Sequence, residues 1–470
     1  LVFQVTVLLH GLAMALMAIS QNATMMNAAQ ALAGIAAAAL VPTLVVLIAA
    51  NYSGPQKSQA LGILAATPAL SGAAAFFVAG FLGTYLSWRY SFGLLTFVSI
   101  IVFLLSFRLK PVPRQSGIKI DAIGVVLSAI AVILISFGFN NLNSWGIVLA
   151  SDSAPFNLVG LSPALLFVVF GLMLFQAFFA WSHQRAELGK EPLLSLEVID
   201  SSKERATIAC LLVIGALGPA VSFLIPLFIQ IVQGRTTMQT AIAAVPYTLA
   251  IAASAIFIVR LYNRLTPRRI AVVAFSLTAT GMVLLSFVVG NNWGTAMVIF
   301  GLLLVGLGEG SLLTLLFNVM VTSSPKSLAG DVGALRGVAN NLSTALGTAF
   351  AGVVAVGLLS MFVVSAVNQS SLPRSLQQQV NLDNIDFITN DQLDDVLAQT
   401  TATPEQVAQA VIINENARLR SLRASFLILA ALALLAIFPA MGLPDYTTDE
   451  DPPPQTEKKP RSRTRKKAAT

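Results

Sequence analysis

A single cysteine, Cys210, and two histidines, His10 and His183, are all that this chain offers toward disulfide or imidazole chemistry. One thiol cannot close an intramolecular disulfide, and three such residues scattered along the chain have no metal-ligand spacing. Charge is equally scarce: Asp, Glu, Lys and Arg make up 10% of the chain, against 56% hydrophobic residues. Soluble domains carry roughly 25% charged residues, so an ordinary soluble globule is excluded. The connections between apolar runs show no Ser/His/Asp pattern, no phosphate-cradling glycine loop and no HExxH helix. The sequence thus gives no reason to expect catalysis, a metal or a cofactor. The formal net charge of +7 comes without an aromatic-rich basic patch, and nucleic acid is not an expected partner.

What remains is apolar run after apolar run. A helix needs about 20 mostly apolar residues to cross the hydrocarbon core of a bilayer. Such stretches fall at about 1–20, 28–50, 58–81, 89–107, 119–138, 161–182, 206–232, 240–261, 269–289, 294–321, 340–366 and 424–443. The fold class expected is an all-α, polytopic transmembrane bundle of about twelve spans.

The basic residues set its orientation. Alternate connections hold 22 of the 28 Lys and Arg, including Lys57, Arg114, Arg185, Arg260, Arg264, Arg268, Lys326 and Arg336. The other side keeps Arg89, Arg235, Arg374, Arg418, Arg420 and Arg423. The positive-inside rule makes the first set cytoplasmic and places both ends of this chain inside the cell, in the plasma (inner) membrane.

Two segments interrupt the membrane pattern. Residues 367–423 form a polar outer loop containing Asp383, Asp386 and Asp391. Within it, Thr403-Pro404 has the signature of a helix start, a cap followed by proline in the first turn, opening a short amphipathic helix that feeds the last span. The expected role is a spacer packed on the bundle. The tail 444–470 is Pro-rich and then basic, a composition that stays disordered and is drawn to anionic lipid.

Spacing and local motifs carry a resemblance. Long basic connections at about 108–118 and 183–205 bracket one pair of spans, leaving four before and six after. Trp88-Arg89-Tyr90-Ser91-Phe92 has the form W-R-x-x-F, and Arg260-Leu261-Tyr262-Asn263-Arg264 opens a basic loop. Gly306-Leu307-Gly308-Glu309-Gly310 and Gly347-Thr348-Ala349 mark Gly-rich spans. In this order the motifs resemble the major facilitator superfamily, and within it the fourteen-span drug:proton antiporters. The resemblance implies two six-helix halves rocking about a midplane cavity, with two extra helices between them.

On that pattern the chain divides into a first half at 1–107, a linker pair at 108–205, a second half at 206–443 and the tail. The first half is then short of its two leading spans. The resemblance also implies a monomeric exporter of small amphipathic compounds, with membrane lipid around it and protons as a candidate coupling ion. Three departures weigh against that coupling. Gln30 stands where the family has an arginine, Thr67-Pro68-Ala69-Leu70-Ser71-Gly72 keeps only part of the antiporter glycine signature, and Asn263 replaces a common aspartate. They leave a second reading open, a non-transporting permease serving as sensor or scaffold.

Glu309 is the obvious charge in the middle of a span. An ionised carboxylate there costs about 2.5–3.5 kcal/mol or more, so it is expected to face the bundle interior or a wet cavity. It is the leading candidate for a proton or cationic substrate, weighed against a plain inter-helix hydrogen bond. Gln230, Asn318, Gln30 and His10 are the weaker intramembrane candidates, all equally explicable as polar packing. Arg260, Arg264, Arg268, Asp331 and Arg336 are the candidates for gating contacts at the cytoplasmic face. Phe76, Phe77, Phe223 and Phe228 are candidate cavity linings, with lipid-facing aromatics the commoner case.

Overall fold

The computed structural model describes residues 2–52, 56, 71–72, 74–75, 77–109, 120–199, 201–262, 264–290, 296–323, 329–370, 372–373 and 387–445. Expectations resting on Lys57, Thr67, Pro68, Phe76, Arg114, Asn263, Lys326, Arg374, Asp383, Asp386 and the tail after 445 lie outside these residues. So do the side chains of Asp331 and Asp391.

Among the described residues regular structure is helical, with two isolated β-bridges near Leu161. The helices are α1 (Val2–Ala18), α2 (Ala23–Asn51), α3 (Trp88–Ser106), α4 (Ala122–Trp145), α5 (Pro163–Glu187) and α6 (Ser202–Pro226). They continue with α7 (Thr237–Ile258), α8 (Pro267–Val288), α9 (Ala296–Ser323), α10 (Ala329–Asn368), the short α11 (Asn390–Leu397), α12 (Pro404–Leu435) and a last turn, α13 (Ile437–Ala440). Among the described residues ten helices are long and apolar enough to span a membrane, and α1 is a shorter apolar helix. The stretch expected at 58–81 falls largely outside the described residues, although 77–85 is helical.

Helix starts follow local chemistry. Ser201 with Glu204, Thr236 with Gln239, and Thr403 with Gln406 form capping boxes in which side chain and backbone satisfy each other's orphan groups. Pro163, Pro267 and Pro404 occupy first-turn positions, where their missing N–H is not needed. One boundary expectation is corrected: the amphipathic segment after Thr403 does not stop before the last span. It runs into it as the single helix α12, because no Gly or Pro interrupts 405–435 and Ala and Leu dominate its second half.

α6 to α10 and α12 pack into one cluster, with α9 against α7 and α8, α10 against α6, and α12 against α8 and α10. Earlier in the chain, α1 packs on α2 and α3. α4 and α5 pack on each other, and α4 also touches α10. The pair is close because glycine meets backbone: a Cβ at Gly138 would lie 2.6 Å from the Ala164 carbonyl oxygen, and one at Gly171 3.0 Å from that of Ala131. The helical stretch 77–85 meets the start of α7. The amide of Met238 donates to Thr84 Oγ1 at 2.9 Å, and Gly80 faces Ala241.

Candidate functional site

Glu309 sits midway along α9 and is 7% exposed. Its position follows from the glycines around it. Gly306 lets the Tyr247 carbonyl and Ala250 of α7 approach the α9 backbone, Gly310 does the same for Ile251 and Ser254, and Gly308 for Ala274 and Thr278 of α8. With α7 and α8 this close, the Glu309 carboxyl is confined between α7 and α6. There the Tyr247 hydroxyl donates to Glu309 Oε2. On α6 the missing side chain of Gly218 makes the remaining room, since a Cβ at that position would overlap the carboxyl. The ion pairs among the described residues are His183–Glu187, Arg185–Asp121 and Arg268–Asp445. Glu309 belongs to none of them.

The other candidates are dispersed. Gln230 lies in the π-helical turn Leu227–Val232 after Pro226 and is half-buried, as is Asn318 further along α9. Gln30 is exposed on α2. His10 Nδ1 is 3.1 Å from Ser99 Oγ, at a point where Gly11 lets α3 approach α1, so it ties those two helices together. Arg268 donates to Asp445 at 3.0 Å, while Arg260 and Arg336 lie over the rings of Phe257 and Phe317 at 5.5 and 3.7 Å. Arg264 is exposed. Phe228 is buried in the core formed by α6 to α10 and α12, Phe223 packs against that core, and Phe77 is exposed.

Sequence reasoning missed three groups. Tyr247 was one, although a tyrosine after Pro246 in the middle of a span is a polar handle that needs a partner. Arg418 was another. Assigned to a solvated outer loop, it is instead fully buried, and its guanidinium donates to the carbonyls of Ile231 and Ile388 and to Asn390. A periodic signal was present, because Asn414, Arg418, Ser421 and Ser425 fall on one helix face and all are buried.

Asp121 was the third. It caps α4, takes Trp181 Nε1 at 3.0 Å and the Leu193 amide at 3.3 Å, and lies 3.5 Å from Arg185. Burial pushes its carboxyl up, but these donors and the Arg185 charge outweigh burial and hold it below the usual carboxylate range.

The W-R-x-x-F segment acquires a physical role. Arg89 donates to the Ser20 carbonyl at 2.9 Å, joining the end of α1 to the start of α3. Its guanidinium also covers the Trp88 ring, which meets Phe92 edge-on.

Comparison with known proteins decides the family. The sequence profile of the Major Facilitator Superfamily matches residues 2–348. The chain belongs to this superfamily. It is similar to the puromycin resistance protein pur8 of Streptomyces alboniger, 27% identical over 372 residues, covering 77% of this chain and 70% of that protein. It is also similar to the cephamycin export protein CmcT of Amycolatopsis lactamdurans, 26% identical over 380 residues and covering 80% and 72%. Among solved structures, a bacterial homolog of the human lysosomal transporter Spinster, inward-facing and occupied, aligns with a TM-score of 0.53. That alignment has 14% identity and covers 93% of this chain and 81% of that one, a likeness of fold. This major facilitator protein is a multi-pass membrane transporter.

Proposed function

We propose that this transporter exports small amphipathic compounds from the cell by alternating access, exchanging each for a proton at Glu309. The carrying observation is a buried carboxylate at mid-span with a hydroxyl for a neighbour and no cation among the described residues. Such a group binds a proton or a cationic substrate, and the two compete. The resistance and export functions in the names of pur8 and CmcT support the direction and the substrate class. In this reading the protein is a monomer in the plasma membrane with both ends of the chain cytoplasmic. The contact of Gly80 and Thr84 with α7 closes the outer side between the halves. Spans 119–138 and 161–182 stand outside the moving core.

The test is transport of a fluorescent amphipathic cation by the full chain in proteoliposomes, with and without a proton gradient. Glu309→Gln keeps size and hydrogen bonding and removes titration. It is expected to abolish the gradient-driven component while leaving a folded protein, and Glu309→Asp to retain part of it. Unchanged transport by Glu309→Gln across the pH range sinks the coupling role.

A further inference from the structure

Arg418 of α12 is buried, and its hydrogen bonds reach two separate pieces of chain. Nη1 donates to the Ile231 carbonyl at 3.4 Å, in the π-helical turn Leu227–Val232 that ends α6. Nη1 also donates to the Ile388 carbonyl, and Nη2 to Asn390 Oδ1, both in the strap at 387–397. The Asn390 amide then donates to Glu415 Oε1 at 2.6 Å, so it sits between two residues three apart on α12. A capping box of Thr389 with Gln392 fixes Asn390 in the first turn of α11. Phe387 and Leu397, both buried, anchor the two ends of the strap.

α6 is built to bend next to this clamp. Pro219 and Pro226 each lack a backbone donor, and the π turn follows the second; prolines and π-bulges are both recognised causes of a kink. Beyond the bend the chain turns at Gly234, with φ at +62°, and enters α7. There Met238 meets Thr84 and Ala241 meets Gly80. We propose that the strap 387–397 is a latch that holds the α6–α7 turn against the stretch 77–85, and that freeing Asn390 from Arg418 is a step in opening this end of the transporter.

The deduction rests on the alternating-access reading above in one respect: this end of the bundle must open and close. A buried guanidinium is costly unless its donors are satisfied. When the strap lifts, Arg418 loses the acceptors at Ile388 and Asn390 and keeps the one at Ile231. The fastened arrangement is therefore the resting one. Because one guanidinium serves both the strap and the π turn, movement of either is felt by the other. A second tie holds the same turn, Gln233 Nε2 donating to the Gly290 carbonyl after α8 at 3.0 Å, and it does not involve the strap.

The experiment measures the opening directly. Spin labels at Tyr85 and Ile242, both exposed, report the distance across the contact by pulsed EPR on the full chain in lipid nanodiscs, in a Cys210→Ala background. Asn390→Ala leaves Arg418 its two carbonyl acceptors, so the bundle is expected to fold. It is expected to raise the share of long distances about fivefold or more, because a charge-assisted bond is lost. Ser421→Ala removes a different bond of α12, to the Ala355 carbonyl of α10, and is expected to leave the distribution unmoved. An unchanged distribution in Asn390→Ala overturns the latch, and so does an equal shift in Ser421→Ala. A second arm fastens the strap: Asn390→Cys with Glu415→Cys, bridged by a short bifunctional methanethiosulfonate, is expected to slow transport of the fluorescent cation about fivefold or more, with recovery on reduction. Transport as fast with the bridge as without it also overturns the latch. The two readings fail separately. A shifted distribution in Asn390→Ala without transport by the unaltered protein upholds the latch and removes the export reading; an unmoved distribution in a protein that transports does the reverse.

Discussion

In α6 and α8 the most apolar stretch is 56% buried, whereas in α2 and α3 the figures are 6% and 11%. The two regions have the same kind of composition, rich in Ala, Leu, Val and Phe, so hydropathy does not explain the difference. Glycine placement tracks it. A Cβ added at Gly218 of α6, at Gly306, Gly308 or Gly310 of α9 or at Gly347 of α10 would press into a neighbouring helix, whereas at Gly34 of α2 and Gly93 of α3 it would meet nothing within 4 Å. Lipid tails are as apolar as leucine, so helices in a bilayer associate through close packing and hydrogen bonds rather than through hydrophobicity. Where glycine admits a neighbour, polar side chains are buried with it, as Glu309 and Tyr247 are. The lesson is that buried polar chemistry follows small residues.

The largest effect should come from filling the tightest contact. Gly218→Val places a side chain in the space of the Glu309 carboxyl, and overpacking of this kind costs about 1–3 kcal/mol or more. Gly93→Val adds its methyls to open space and should be close to neutral. Yield of monodisperse protein and melting temperature in detergent check the pair, and equal behaviour of the two variants would erase the contrast between the halves.

Next comes the comparison of two arginines, Arg418 and Arg89. Arg418→Met leaves the partly buried carbonyls of Ile231 and Ile388 without their donor, at about 1–3 kcal/mol in total. Arg89→Met removes one bond to Ser20 from an exposed side chain, and should cost under about 1 kcal/mol. Denaturation in mixed micelles measures both; a costlier Arg89 variant would place the firmer packing in the first half.

The smallest effect belongs to the linker pair. A carboxyl held lower in the folded state than in the unfolded chain stabilises above its unfolded value, and that stabilisation fades as pH falls through the folded value. Asp121→Asn should therefore lower the melting temperature at neutral pH by the equivalent of about 1–2 kcal/mol. The deficit should shrink as pH drops below about 4. A deficit that stays constant with pH would show that the capping bond, and not the charge, matters.

Much of this was legible along the chain. Spans show because twenty apolar residues are hard to hide, and the starts of α7 and α12 show because Thr-x-x-Gln capping boxes are local. Glu309 stood out because a carboxylate in an apolar run must either face a cavity or bond a neighbouring helix. Its partner did not, because Tyr247 is 62 residues away and only the packing of α7 on α9 brings them together. Arg418 was misplaced for a related reason. An arginine near a membrane boundary reads as solvated unless the buried face of its own helix is recognised, and three of the four residues on that face are the uncharged Asn414, Ser421 and Ser425. Asp121 depended on a loop returning Leu193 to its side, which no periodicity announces.

Pro226 carries one more consequence, in terms of hydration. A proline has no N–H, so within α6 the carbonyl of Ser222, four residues earlier, gets no donor from that position. Inside a bilayer a carbonyl without a donor costs several kcal/mol unless water or a polar group reaches it. The exposed Ser222 thus brings two oxygens to one depth, its hydroxyl and its carbonyl, where the rest of the helix offers hydrocarbon. Small omissions of this kind bring unpaired backbone oxygen to mid-span, and here the omission lies one helical turn from Gly218, which borders the Glu309 carboxyl.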